Sequence, residues 1–275
     1  MSAAIDVSDL AKDSESSKYE SDVLAILSKA VKSPSPAETQ AETTASEIDA
    51  LYPADVKEAE DFLWTFWTLF VNVVKKIPAD DARQQLLTDI IAQLKRKRND
   101  QVTMWDQEVR VWTELPMLGP VMRDAWNLSP DFDGSETDAT TVQEWISLNS
   151  FAARLYGTGT QDWVNFAIWE LRSGLEEPPE NRPNARDTRI ATAHEWIVHA
   201  GKELFRKSQE VAKLDTMEKT ALKPGSLFKS DKSGLSAERW IFWRERIGAL
   251  GATAGSGAAK EQAQKALQAM DDVDG

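Results

Sequence analysis

Few residues in this chain have the type and spacing to do chemistry. It has no cysteine and two histidines, which excludes a thiolate nucleophile, a thiolate metal site and a disulfide scaffold. Both histidines fall in His194-Glu195-Trp196-Ile197-Val198-His199. Zincin helices set their histidines four residues apart so that both face one metal. A gap of five turns the two side chains about 140° apart at 3.6 residues per turn, so this pair is not a zinc clamp. Glu195 and His199 remain as acid–base candidates. A second pattern is the stripe Asp61, Thr65, Thr68 and Asn72, spaced four, three and four apart in an otherwise apolar run from Phe62 to Val74. That spacing puts four polar groups on one helix face. They either meet solvent along a thin edge or line an internal pocket.

Acid-rich pairs invite a third comparison, with class I terpene cyclases, which hold magnesium and a diphosphate through DDxxD/E and NDxxSxxxE motifs. Asp80-Asp81-Ala82-Arg83-Gln84 carries Gln where the third acid belongs. Asn99-Asp100-Gln101-Val102-Thr103 meets Gln107 where the motif needs an acid, and Asp271-Asp272-Val273-Asp274 lies at the chain end. Each misses its motif by a residue that matters for the metal. There is no Gly-Lys-Ser/Thr phosphate loop and no Gly-x-Ser-x-Gly elbow.

The groups that must be positioned sit in a chain of 275 residues with a formal charge of −13. That balance argues against a nucleic-acid-binding surface, which would be basic. Residues 1–50 hold 4 Lys and 10 Asp plus Glu, and so −6 of that charge. They also hold a Ser-, Thr-, Pro- and Ala-rich stretch without aromatics from Ser33 to Ala50. The composition predicts a flexible acidic tail, with a short helix over 19–31 that is either detached or docked on the body. The N-terminus has neither a basic n-region nor an apolar h-region, and the longest apolar run spans 13 residues against the roughly 20 a membrane span needs. The expectation is a cytoplasmic protein that does not enter a membrane. The run Lys95-Arg96-Lys97-Arg98 reads either as a nuclear-import signal or as cations at the negative end of a helix dipole.

From residue 51 to 250 the apolar period is helical, with shorter helices over 105–127, a turn-rich loop at 128–139 and a polar connection at 215–235. Pro78 and Ser236 mark helix starts, Gly157 a helix end, and no segment alternates convincingly as a strand. The fold class is all-α: a single tryptophan-rich bundle of about eight helices, followed by a flexible tail, 251–275, with its own short helix. All eleven tryptophans lie inside 51–250. Each can bury about 150–250 Å², and each buried indole N–H needs an acceptor, for which Asn72, Asn149 and Asn165 are candidates.

Several segments taken in order carry a family resemblance. They are Leu63–Ile77 with its continuation to Leu87, WTELPMLGPVMRDAW at 112–126, WISLNSFAARL at 145–155, NFAIWELRSGLE at 165–176, EWIVHAGKEL at 195–204 and LSAERWIFWRERI at 235–247. Over about residues 60–247 the chain resembles a fungal family catalogued only as a domain of unknown function, some members of which are encoded beside secondary-metabolite genes. The resemblance implies one helical domain and directs attention to polar residues inside these stretches: Asn149, Arg154, Asn165, Arg172, Glu195, His199, Glu238 and Arg239. They either satisfy indoles and helix ends, or converge with Asp61 and Asn72 on a tryptophan-walled pocket. In such a pocket Arg and Asn would hold an anionic or carbonyl group while Glu195 acts as acid or base. Two functions follow. One is an interaction or accessory protein with a protein partner and no cofactor. The other is an enzyme on a hydrophobic metabolite, cofactor-free or magnesium-dependent in the manner of a non-canonical terpene cyclase.

Overall fold

A computed structural model describes residues 5–11, 17–32, 39–182 and 184–274. The architecture is helical, with one short two-stranded sheet among the described residues. The chain divides into two compact units, Met1–Ser129 with Gln143–Phe151 and Pro130–Val142 with Ala152–Gly275. Both units draw on the range 51–250, and helix α6 (Glu136–Gly157) contributes to both.

The first unit is built around α3 (Ala59–Lys76), whose aromatic residues form its core. Phe62, Phe66, Trp67 and Phe70 are fully buried. Trp112 meets Phe66 and Trp67 edge-on at 5.9 and 6.3 Å, and Phe151 lies 5.9 Å from Phe70. Such edge-to-face pairs add about 0.5–1.5 kcal/mol each beyond the area they bury. Asp81 caps α4 (Ala82–Leu94) by accepting from the Arg83 amide, and Gln84 Nε2 donates to the carbonyls of Val74 and Ile77 at the end of α3. This local exchange turns the chain through Pro78 without leaving those carbonyls bare.

Two further helices pack here that the composition assigned to a flexible tail. Helix α1 (Glu20–Val31), close to the helix expected at 19–31, buries Val23, Leu27 and Ala30 and packs on α3; α2 (Gln40–Leu51) buries Ala41, Ala45 and Ile48 and packs on α4. Spacings of three and four supply an apolar face even where overall composition is polar. Residues 1–4, 12–16 and 33–38 of the expected tail lie outside the described residues.

A β-hairpin, β1 (Gln101–Met104) with β2 (Gln107–Arg110), stands where short helices were expected. Helix α5 (Leu118–Trp126) follows it.

The second unit contains both ends of α6, then α7 (Val164–Leu171), which runs into a π-helical turn at Arg172–Glu176. Helix α8 (Ala185–Ser208) is its longest element. Helix α9 (Thr216–Ala221) lies in a stretch expected to be an irregular connection, and a capping box between Asp215 and Glu218 starts it. Helices α10 (Ala237–Ala252) and α11 (Gly257–Asp274) complete the unit. Gly157 lets α6 touch α8: a Cβ there would overlap the His199 carbonyl oxygen. The expected C-terminal tail is instead a docked helix. Helix α11 buries Ala259, Ala263, Ala266 and Met270 and packs on α8 and α10, while Asp274 accepts from the Trp240 indole at 3.0 Å.

Candidate functional site

The positions expected to hold chemistry fall in both units. In the second, Glu195 lies between the two histidines on α8: Oε1 is 2.9 Å from His194 Nδ1, and Oε2 is 3.3 Å from His199 Nε2. The five-residue gap that excludes a shared metal face thus lets one carboxylate reach both rings. Among the described residues no group of three or more His, Asp and Glu side chains could hold a metal ion. Asn165 is half-buried on α7, and Arg154 is half-buried near the end of α6.

Arg239 is fully buried and saturated. Its Nε donates to Glu176 Oε1 at 2.6 Å, Nη1 to the carbonyls of Leu222 and Gly234, and Nη2 to Glu176 Oε2 and the Lys223 carbonyl. A guanidinium has five N–H donors, and all five are in use. Burial pulls its pKa below the ordinary arginine value, opposed by the Glu176 carboxylate. Glu176 also accepts from the Trp243 indole at 2.6 Å and from the Gly225 amide. The π turn aims this carboxylate inward. Arg239 therefore locks the 222–234 connection to α10 and has no donor left for a ligand.

In the first unit Asn149 is buried and its amide donates to the Trp145 carbonyl. Asp61 is exposed and accepts from Ser17. Among the described residues Asn72 and Asn165, two of the three asparagines nominated for the indoles, serve none. The acceptors are Asp49 for Trp112, Glu176 for Trp243, Asp274 for Trp240 and the Ala221 carbonyl for Trp169. Carboxylates suit these sites because a charged acceptor makes the stronger bond. The basic run is also used internally: Lys97 donates to Ser46, and Arg98 pairs with Asp49 at 2.6 Å.

Two surface features of the first unit were not singled out by spacing. The first is Trp105. All the tryptophans were expected in the core, yet Trp64 and Trp105 are 43% and 62% exposed. Trp105 and Asp106 form the two-residue loop of the hairpin, with φ of 49° and 60°. Two consecutive positive φ values are those of a type I′ turn, which favours Asn-Gly. A bulky residue there costs about 1–2 kcal/mol in the left-handed region. Leu115, Met117 and Phe132 also have positive φ, but each is at most 2% exposed, so packing offsets their strain. Asn184 and Asp106 are residue types that tolerate it. Among the described residues, Trp105 alone combines a large side chain, a left-handed backbone and open exposure. The missing Asn-Gly signal is why the hairpin escaped the sequence reading, although Val102, Met104, Val109 and Val111 do alternate.

The second feature is a groove between α3 and α5 enclosing about 260 Å³, lined in part by Trp64, Thr68, Asn72 and Lys75 from α3 and by Val121 and Leu128 from the α5 side. Half of the expected polar stripe, Thr68 and Asn72, lies in it. The stripe edges an open groove on the surface, and Asp61 and Thr65 are not part of the lining.

No helix among the described residues is long and apolar enough to cross a membrane. No curated protein and no solved structure matches the chain. Residues 67–247 match the family described as "Protein of unknown function (DUF3632)"; they make up more than half of the chain, which therefore belongs to that family.

Proposed function

We propose that the protein is an interaction or accessory protein that uses the Trp105 turn as its principal anchor. The observation behind this reading is the strained, exposed tryptophan: its backbone takes a left-handed conformation that costs stability, and 62% of its surface is open to solvent. Strain of this kind is retained where a site uses it, and tryptophan is among the residues that dominate binding energy at protein interfaces. The partner's complement is an apolar pocket wide enough for an indole. The reading needs no cofactor. It places the protein in the cytoplasm, since two cations of the 95–98 run are engaged internally by Ser46 and Asp49. The family resemblance adds where to look first, among the products of fungal secondary-metabolite genes.

The competing reading is an enzyme acting on a hydrophobic metabolite with or without magnesium. Of its candidates, Arg239 has no donor to spare.

The test is quantitative capture from a native extract with the wild-type chain, Trp105→Ser and the double variant Trp105→Asn/Asp106→Gly. A partner held by the wild type and lost by both variants supports the reading. The same set of proteins held by all three, or none held by any, overturns it.

A further inference from the structure

We propose that the α3–α5 groove is a binding site for a small monocarboxylic acid with an aromatic or aliphatic body, independent of the Trp105 turn. Four α3 residues supply its recognition. Trp64, Thr68, Asn72 and Lys75 succeed one another at helical spacing along one wall and present an indole, a hydroxyl, an amide and an ammonium in that order. The opposite wall offers Val121, Ala125 and Leu128 as apolar surface beside the one acid, Asp124, and Leu128 is 57% exposed.

The polar end has unused capacity. Among the described residues Thr68 and Asn72 take no hydrogen bond from their side chains to the protein. Lys75 forms an ion pair with Glu144 at 4.0 Å, beyond hydrogen-bond reach. Its side chain is only 16% exposed, so it is part-desolvated, and its ammonium donates no hydrogen bond among the described residues. A carboxylate placed there receives charge-assisted bonds from the Lys75 ammonium and the Asn72 amide. The body of the ligand then runs along Val121 toward the indole of Trp64. Asp124 also lines the groove, and its charge disfavours a second acidic group, hence a monoacid. A volume of about 260 Å³ lies just under the range of drug-sized sites, about 300–1,000 Å³, which selects a fragment-sized molecule with a Kd of about 1 mM.

The experiment is a ligand-observed NMR titration of the full chain with 4-phenylbutyrate, and with its neutral amide as control. Lys75→Met and Lys75→Arg variants are run in parallel, after their urea midpoints are shown to match the wild type. The proposal expects the acid to bind at least about tenfold tighter than the amide, the cost of one charge-assisted contact. It expects Lys75→Met to abolish that preference and Lys75→Arg to keep it. Equal binding of acid and amide, an unchanged preference in Lys75→Met, or no binding of either at about ten times the expected Kd overturns it. Displacement of the acid by an apolar helical peptide, with no acid preference of its own, would assign the groove to a protein partner and overturn it as well.

Discussion

Each unit holds a carboxylate that accepts from one indole and one guanidinium. In the first, Asp49 Oδ1 accepts from Trp112 Nε1 and Arg98 Nε, both at 2.6 Å. In the second, Glu176 Oε1 accepts from Trp243 Nε1 and Arg239 Nε, again both at 2.6 Å. The chemistry is the same; burial differs. Arg98 and Asp49 keep 29% and 22% of their side-chain exposure, whereas Arg239 and Glu176 keep none. The buried trio is closed, with every guanidinium donor used. The part-exposed trio is looser, and Arg98 also stacks over the Tyr52 ring at 4.7 Å. One set of residue types thus forms a sealed lock in one unit and a water-facing joint in the other. The exposed Trp105 and the α3–α5 groove belong to the unit with the looser joint.

The largest expected effect comes from breaking the sealed trio. Arg239→Ala leaves Glu176 buried without its cation, and takes one donor from each of three backbone carbonyls, of which Leu222 and Lys223 keep another. The expected loss is about 3–5 kcal/mol, since removing one partner of a buried ion pair strands the other charge. Arg98→Ala, at the water-facing joint, should cost about 1 kcal/mol. Urea unfolding of both variants checks the ratio, and salt sharpens it. At 1 M salt the screening length falls to about 3 Å, so the Arg98→Ala cost should shrink while the Arg239→Ala cost stays. Equal costs for the two variants would erase the distinction drawn from burial.

A smaller effect concerns a third carboxylate. Glu180 lies beside Arg182 and Arg189, with Arg189 Nη2 at 3.0 Å, and both guanidinium groups sit over the Phe132 ring at 5.4 Å. Burial alone would raise the Glu180 pKa, but the hydrogen bonds from Arg182 and Arg189 outweigh it and hold the carboxyl below its ordinary value of 4.5. A depressed folded-state pKa contributes stability that is present above the unfolded value and lost as pH falls through the folded one. Glu180→Gln should therefore cost about 1 kcal/mol or less near neutral pH, and nothing at a pH below the folded value. Thermal unfolding of wild type and variant across that window checks the sign. A cost that grows toward acid pH would reverse it.

Periodicity made the helices of 51–250 legible, and Pro78, Ser236 and Gly157 marked element ends correctly. What it missed has physical causes. Composition misjudged α2 and the docking of α11 because a face of Ala, Ile or Met at spacings of three and four can dock a helix that is polar on average. The hairpin was hidden because Trp-Asp occupies a turn whose usual residues are Asn-Gly. The role of Glu176 was invisible because its partners Arg239 and Trp243 lie 63 and 67 residues away, and because a π turn, not an α-helical one, aims it. Arg239 was singled out by its apolar setting, and the structure shows that setting to be a lock rather than a ligand contact. Asn72 alone of the nominated asparagines reached a groove.

On the proposed function, Trp105 holds a backbone conformation that costs the fold stability and is kept for a partner. The most direct measurement is the urea unfolding free energy of Trp105→Asn/Asp106→Gly beside the wild type. Asn-Gly fits a type I′ turn, so the double variant should be more stable by about 1–2 kcal/mol. A double variant that is equally or less stable would show that Trp105 supports the hairpin, and would contradict the claim.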